Sequence, residues 1–304
     1  MSDIKIFKVE KDGIRNLESK SMEVEKSLQK LMEENLEILL GIRLVASEYS
    51  TGKTHGGRID TLGIDENGCP VIIEYKRALN ENVINQGLFY LDWLLDHKGD
   101  YYHLVLKRLG NKVAEEIEWS APRLLCIAGD FTKYDEHAVL QIGRNIELIR
   151  YKRFQDDLLL LELVNASTKE SQPLIEKSAG DIKYTTISEA LEKIEKSNTG
   201  LFDLHESIKA FLLALGDDVQ MKTLKFYLAF KRIKNFACVD IRPQKQEILI
   251  FVKINPDEID LEKGFARDVT KIGHFGTGDV EITIKSKSDF EKAKPLILKS
   301  YEKS

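Results

Sequence analysis

Gly57-Arg58-Ile59-Asp60-Thr61-Leu62-Gly63-Ile64-Asp65-Glu66-Asn67-Gly68-Cys69-Pro70-Val71-Ile72-Ile73-Glu74-Tyr75-Lys76-Arg77 reads as two strands joined by a tight turn, with charges where strand residues should be apolar. Val71-Ile72-Ile73 marks a strand buried on both faces. Glu74 and Lys76, two residues apart, share one face of it, and Tyr75 points to the other. Charges at the end of a buried strand are costly unless something uses them.

The turn decides what joins them. Asp65-Glu66-Asn67-Gly68 suits a type I turn with Gly68 in the left-handed conformation, giving a three-residue loop with a bulge. That register pairs Asp65 with Cys69 and sets Asp60 opposite Glu74 and Arg58 opposite Lys76. A two-residue loop centred on Asn67-Gly68 sets Asp60 opposite Tyr75 instead. In the first register two carboxylates about 5 Å apart repel by on the order of 3 kcal/mol at an effective dielectric of about 20, which raises one pKa unless a cation lies between them. Oxygen ligands of this kind suit Mg²⁺ or Mn²⁺ rather than zinc. Lys76 beside them can stabilise charge on a pentavalent phosphate or help deprotonate the attacking water.

An aspartate, a turn and then Glu-X-Lys, with a Glu on the preceding helix and a Gln on the following one, resembles the PD-(D/E)XK nuclease superfamily. Glu25 to Asn35, Gly57-Arg58-Ile59-Asp60, Glu74-Tyr75-Lys76-Arg77 and Gln86-Gly87-Leu88-Phe89-Tyr90 resemble the catalytic domain of NucS-type DNA endonucleases, over about residues 20–100. The resemblance implies a restriction-endonuclease-like mixed sheet flanked by helices. It makes Asp60 and Glu74 the metal-holding pair and Lys76 the catalytic lysine. Gln86 would orient the water or a ligand, and Glu33 would be an additional helix-borne acid, with Glu34 competing for that role. Ile59 stands where the superfamily has proline. NucS-type enzymes carry an N-terminal DNA-binding domain for which this sequence shows no room, so mismatch specificity is not transferred. Lys53, His55, Arg58 and Arg77 flank the hairpin and are the expected phosphate contacts.

Outward from the hairpin, the pattern predicts a strand over 4–9, a helix over 22–40 stopped by Gly41, and a strand over 42–48. Helices follow over 81–95, 100–109 and 134–142, and strands over 122–128, 146–151 and 158–164. The nuclease-like domain is thus an α/β domain, 1–165. Residues 166–185, rich in Ser, Thr, Lys and Glu with Pro173 and Gly180, read as a linker.

Residues 186–304 read as a second, α+β domain. Helices are expected over 187–195, 203–215 and 221–233, near Leu261 and from Ser288, with strands over 236–242, 247–254 and 280–285. Parts of it resemble an uncharacterised module appended to nuclease-like domains, which names no activity. Residues 264–278, with His274 and three glycines, read as a connecting loop.

Other signals are weaker. Ser50-Thr51-Gly52-Lys53-Thr54 is not a phosphate-binding loop, because Ser47 stands where that pattern requires Gly. Arg144, Arg150, Lys152 and Arg153 form one basic patch. Lys222, Lys225, Lys231, Arg232 and Lys234 form another, interleaved with aromatics. Leu224, Tyr227, Leu228 and Lys231 stand at helical spacing, so the simpler reading of the second patch is a core face with a solvated flank.

A length of 304 residues fits two domains. The formal net charge of −5 speaks against indiscriminate nucleic-acid binding and leaves room for a local basic groove. Cys69, Cys126 and Cys238 are widely spaced with no CxxC, which indicates neither zinc nor a disulfide frame. No run of eighteen apolar residues exists and the start lacks a secretion-signal layout, so a cytoplasmic protein without membrane partners is expected. The resulting reading is a Mg²⁺- or Mn²⁺-dependent endonuclease acting on DNA, expected as a homodimer because nucleases often pair sites across two strands. The rival is a non-catalytic nucleic-acid- or protein-binding module that has kept the fold.

Overall fold

A computed structural model describes residues 4–20, 25–76, 83–155, 157–167 and 185–304. The chain divides into two compact units, Met1–Ile117 with Pro122–Lys169, and Glu118–Ala121 with Glu170–Ser304. Most of the predicted linker lies outside the described residues.

In the first unit a hairpin, β1 (Ile6–Glu10) and β2 (Gly13–Leu17), precedes β3 (Ser19–Lys20), α1 (Glu25–Glu34), α2 (Leu36–Leu40), β4 (Ile42–Ser50) and a single helical turn, α3 (Gly52–His55). Next come β5 (Arg58–Asp65), β6 (Pro70–Lys76), α4 (Val83–Asp96), α5 (Lys98–Leu109) and α6 (Asn111–Glu115). The unit closes with β7 (Arg123–Ala128), α7 (Lys133–Gln141), β8 (Asn145–Phe154) and β9 (Leu158–Ser167). Among the described residues the main sheet runs β3-β8-β7-β6-β5-β4, with β9 also on β8. β6, β7 and β8 are parallel and the other pairings antiparallel, a mixed sheet. The helical crossover between β6 and β7 supplies the length that a parallel pair needs. Every residue of β7 is buried, as its unbroken apolar run requires.

Two features position the charged residues of the hairpin. In β4, Leu44 pairs with Gly63 and Ala46 with Leu62, so Val45 is an extra, bulged residue. In the ladder between β6 and β7, Ile72 faces Leu124 and Glu74 faces Cys126. Gly87 of α4 sits on Leu124, where a Cβ would come within 2.4 Å of a leucine methyl. α4 therefore stacks on the face that Glu74 presents, and only glycine allows that approach.

At the turn end of the hairpin a sealed ion cluster ties three strands. Arg123 donates from Nε and Nη2 to Glu147, both at 2.8 Å, and from Nη1 to Asp65 at 2.7 Å. All three side chains are at most 3% exposed. Burial opposes the guanidinium charge, but Glu147 and Asp65 outweigh it and hold the pKa above the ordinary arginine range.

The second unit holds α8 (Ile187–Ser197), α9 (Thr199–Leu213), β10 (Gln220–Thr223), β11 (Leu228–Lys231), β12 (Asn235–Arg242) and β13 (Glu247–Val252). β14 (Ala266–Asp268), β15 (Val280–Ile284) and α10 (Lys287–Glu302) complete it. Its sheet is antiparallel, in the order β10-β11-β12-β13-β15-β14. Alternate strand residues such as Leu228, Phe230, Val239, Ile250 and Ile282 share one core with Ile194, Ile208 and Ile297 of the helices.

Several expectations change. The helix predicted over 22–40 is two helices broken at Asn35, whose Nδ2 donates to the Leu31 carbonyl. That local bond competes with helical continuation. Residues 221–233 are not a helix but the strands β10 and β11, with Lys222 and Lys231 buried. Near Leu261 there is no helix, only a 3-10 turn over Pro256–Glu258. The loop over 264–278 contributes β14. Arg150 leaves the first basic patch, since it is 2% exposed and paired to Asp130 and Glu162 at 2.7 Å each. The three cysteines are buried and none is in a disulfide. No helix among the described residues is long and apolar enough to cross a membrane.

Candidate active site

The turn takes the three-residue form. Gly68 N–H donates to the Asp65 carbonyl at 3.0 Å, Asp65 N–H donates to the Cys69 carbonyl at 2.9 Å, and Gly68 has φ +78°. Asp65 Oδ1 fixes the loop by accepting the N–H groups of Asn67 and Cys69. The ladder then runs from Ile64↔Pro70 to Thr61↔Ile73. One step further, Asp60 faces Glu74, and side chains take over from the ladder. Asp60 N–H donates to Glu74 Oε1 at 3.2 Å, and Tyr75 N–H donates to Asp60 Oδ2 at 3.1 Å. Each carboxylate is thereby clamped to the neighbouring strand's backbone.

α4 completes the clamp. Gln86 Nε2 donates to Glu74 Oε2 at 3.0 Å and lies 3.4 Å from the Tyr90 hydroxyl. That hydroxyl accepts the Arg58 N–H at 3.2 Å. Lys76 Nζ meets Glu25 of α1 at 3.2 Å. Asp60, Lys76, Gln86, Tyr90, Lys53 and Arg58 line an open cleft of about 690 Å³, which Glu25 also borders.

Burial sets the electrostatics. Glu74 is fully buried, and burial first, then the Asp60 charge, pushes its pKa up to about 9. Asp60 is also raised, by burial before all else, with Glu25 and Glu48 adding; the Tyr75 N–H and Lys76 pull the other way. Two carboxylates that resist ionising side by side are a donor set that a cation would satisfy. Oxygen donors beside an open cleft fit a hard divalent ion, so Asp60 and Glu74 are the residues that could hold Mg²⁺ or Mn²⁺.

The structure thus brings Asp60, Glu74, Lys76 and Gln86 together. It does not bring Glu33 to them. Glu33 Oε1 accepts from Thr61 Oγ1 at 2.5 Å and from Gln29 Nε2 at 3.1 Å, on the opposite face of β5, because Thr61 and Asp60 are strand neighbours. Glu25, two turns earlier on α1, is the helix acid that meets Lys76. Lys53 and Arg58 border the cleft. His55 instead packs its ring 5.3 Å from Phe89 and 5.6 Å from His97, and Arg77 lies outside the described residues. Tyr90, Glu25 and Glu48 are the neighbours that sequence reasoning missed. For Tyr90 the signal was present, since it stands four residues after Gln86 on the same helix face.

A protein of Haemophilus influenzae described as an uncharacterized protein is 32% identical over 305 residues, covering 97% of this chain and 98% of its own. The chain belongs to that protein's family. Residues 191–304 match a family model described as a domain of unknown function, DUF5655. Among solved structures, the crystal structure of a repair endonuclease from Pyrococcus abyssi is 19% identical with a TM-score of 0.25. That likeness covers 45% of this chain and spans 50% of the length of that one.

Proposed function

We propose that the first unit hydrolyses DNA phosphodiester bonds as a metal-dependent endonuclease, with Mg²⁺ or Mn²⁺ held by Asp60 and Glu74. The observation that carries this reading is the Asp60–Glu74 pair. Both groups have raised pKa values, both are clamped by backbone N–H donors, and the pair sits beside a cleft bordered by Lys76, Lys53 and Arg58. Uncompensated, the pair is a cost to the fold, and sites that store such costs are where function concentrates.

When bound, the ion would relieve the repulsion between the carboxylates and polarise the phosphodiester. Lys76 places its ammonium at the cleft, where it can stabilise charge building on phosphate oxygens. Gln86 holds Glu74 in one rotamer through Oε2, and Tyr90 holds Gln86 and the Arg58 backbone in turn. Positioning of this kind is what lets carboxylates act without reorganising. DNA is the substrate class implied by the resemblance of the hairpin and its flanking helices to NucS-type catalytic domains.

The test is a cleavage panel of single-stranded, branched, mismatched and modified duplexes with Mg²⁺ and Mn²⁺. Asp60→Ala, Glu74→Ala and Lys76→Ala should each lower cutting by about a hundredfold to a thousandfold or more. Cutting that survives all three ends this reading. One observation favours a non-catalytic binding module instead: Glu74 is sealed from solvent and bonded through both oxygens. Calorimetry separates the two, since a competent site takes up Mn²⁺ and loses that uptake on Glu74→Ala.

A further inference from the structure

The carboxylate row does not end at Asp60. On the other side of β5 the ladder pairs Ser47 with Thr61 and Tyr49 with Ile59, so the position across from Asp60 is Glu48. Glu48, Asp60 and Glu74 thus occupy one line across β4, β5 and β6. Glu48 is also one of the few non-glycine residues with positive φ, at +52°. A left-handed residue inside a strand is disfavoured for any L side chain, and glutamate has none of the local self-bonding that makes asparagine tolerable there. The backbone returns to the extended form at once, and Tyr49 packs its ring 5.3 Å from that of Trp93 on α4.

The strained residue makes one strong contact. Glu48 Oε2 meets Arg58 Nε at 2.8 Å. Arg58 borders the cleft and its side chain is 67% exposed, whereas that of Glu48 is 31% exposed. The ion pair engages the Nε edge of the guanidinium, and the end-on edge that carries both terminal amino groups is a fork that matches a phosphate. Holding it in advance removes much of the ordering cost that a flexible arginine meets on binding.

We infer that Glu48 is a positioning residue, whose left-handed backbone is retained because it holds Arg58 over the cleft as the grip on a nucleic-acid phosphate next to the bond to be cut. The inference rests on the nuclease reading and adds the contact that seats the substrate. It also makes an unusual electrostatic prediction. Removing a negative charge beside a polyanion site should ordinarily tighten binding, but removing this one should loosen it, because Arg58 loses its anchor.

The experiment is a binding titration by fluorescence anisotropy, using a fluorescein-labelled oligonucleotide, single-stranded and duplex, with the full chain in EDTA over a series of salt concentrations. Arg58→Ala should weaken binding about tenfold and reduce the slope of log K against log salt by about one. Glu48→Gln should weaken it in the same direction by about threefold to tenfold, and the double variant should lose no more than Arg58→Ala alone. Glu48→Gly should loosen binding while its melting temperature stays level or rises, since glycine takes the left-handed conformation freely. Binding by Glu48→Gln that is equal to or tighter than the parent's overturns this inference alone, as does a double variant whose losses simply add. A fall in melting temperature for Glu48→Gly overturns the strain argument and the inference with it. A parent chain that binds neither oligonucleotide, in EDTA or with Ca²⁺ in its place, removes the nuclease reading as well.

Discussion

The two ends of the β5–β6 hairpin carry the same kinds of residue with opposite outcomes. At the turn end, Asp65 and Glu147 share one guanidinium, which meets them through bonds of 2.7–2.8 Å. At the open end, Asp60 and Glu74 face each other with backbone amides, Gln86 and Lys76 around them, and both carboxyls resist ionisation. The first cluster is closed by its own arginine. In the second, Lys76 meets Glu25 at 3.2 Å and pulls both carboxyl pKa values down without returning them to the ordinary range. Acid clusters in a buried sheet therefore divide into those neutralised by the chain and those that leave room for something else, and the second kind is the informative one.

Three measurements would break or sharpen that contrast. The largest effect is expected at the closed end. Arg123→Met leaves Asp65 and Glu147 buried without a counter-charge, and denaturant unfolding should show a loss of about 3–5 kcal/mol. A loss below about 1 kcal/mol would mean that the cluster is not the staple described. Next comes metal: Mn²⁺ at about 100 times its dissociation constant should stabilise the chain by about 2.7 kcal/mol, an effect that Glu74→Ala removes and Arg123→Met preserves.

The smallest effect, taken per pH unit, is the dependence on pH. The Glu74 pKa is raised in the fold to about 9 from an ordinary 4.5. The folded chain therefore holds a proton that the unfolded chain releases. The associated stability is complete below about 4.5, declines as pH rises and is gone above about 9, with a slope of at most about 1.4 kcal/mol per pH unit. Glu74→Gln should flatten that decline and leave the variant more stable than the parent at pH 8. A parent whose stability does not fall between pH 6 and 8 relative to Glu74→Gln would contradict the buried, proton-sharing pair.

Much of the hairpin was legible because its turn has few solutions. Asp65 and Gly68 dictate a loop, the loop dictates the register, and the register carries Asp60 to Glu74. The helix acid was not legible in the same way. Glu25, Glu33 and Glu34 all lie on one amphipathic stretch, and only the way α1 crosses the sheet decides that Glu25 meets Lys76 while Glu33 meets Thr61. Residues 221–233 misled for a different reason. Their apolar spacing fits a helix, but Lys222 and Lys231 are buried in strands, a placement that no local pattern records. Glu48 was silent because nothing in the sequence marks a residue whose significance lies in its backbone conformation.

The bulge at Val45 has a consequence for how this family can vary. It shifts the pairing of β4 with β5 by one residue, from Leu44↔Gly63 to Ala46↔Leu62, and a shift of one exchanges the faces of every side chain beyond it. A chain that kept Val45 but paired without the bulge would set Ser47, not Glu48, across from Asp60. Loss of Val45 together with its bulge would leave every partner in place, so this stretch should tolerate that one length change and resist others, whereas length changes in the β1–β2 hairpin should accumulate freely.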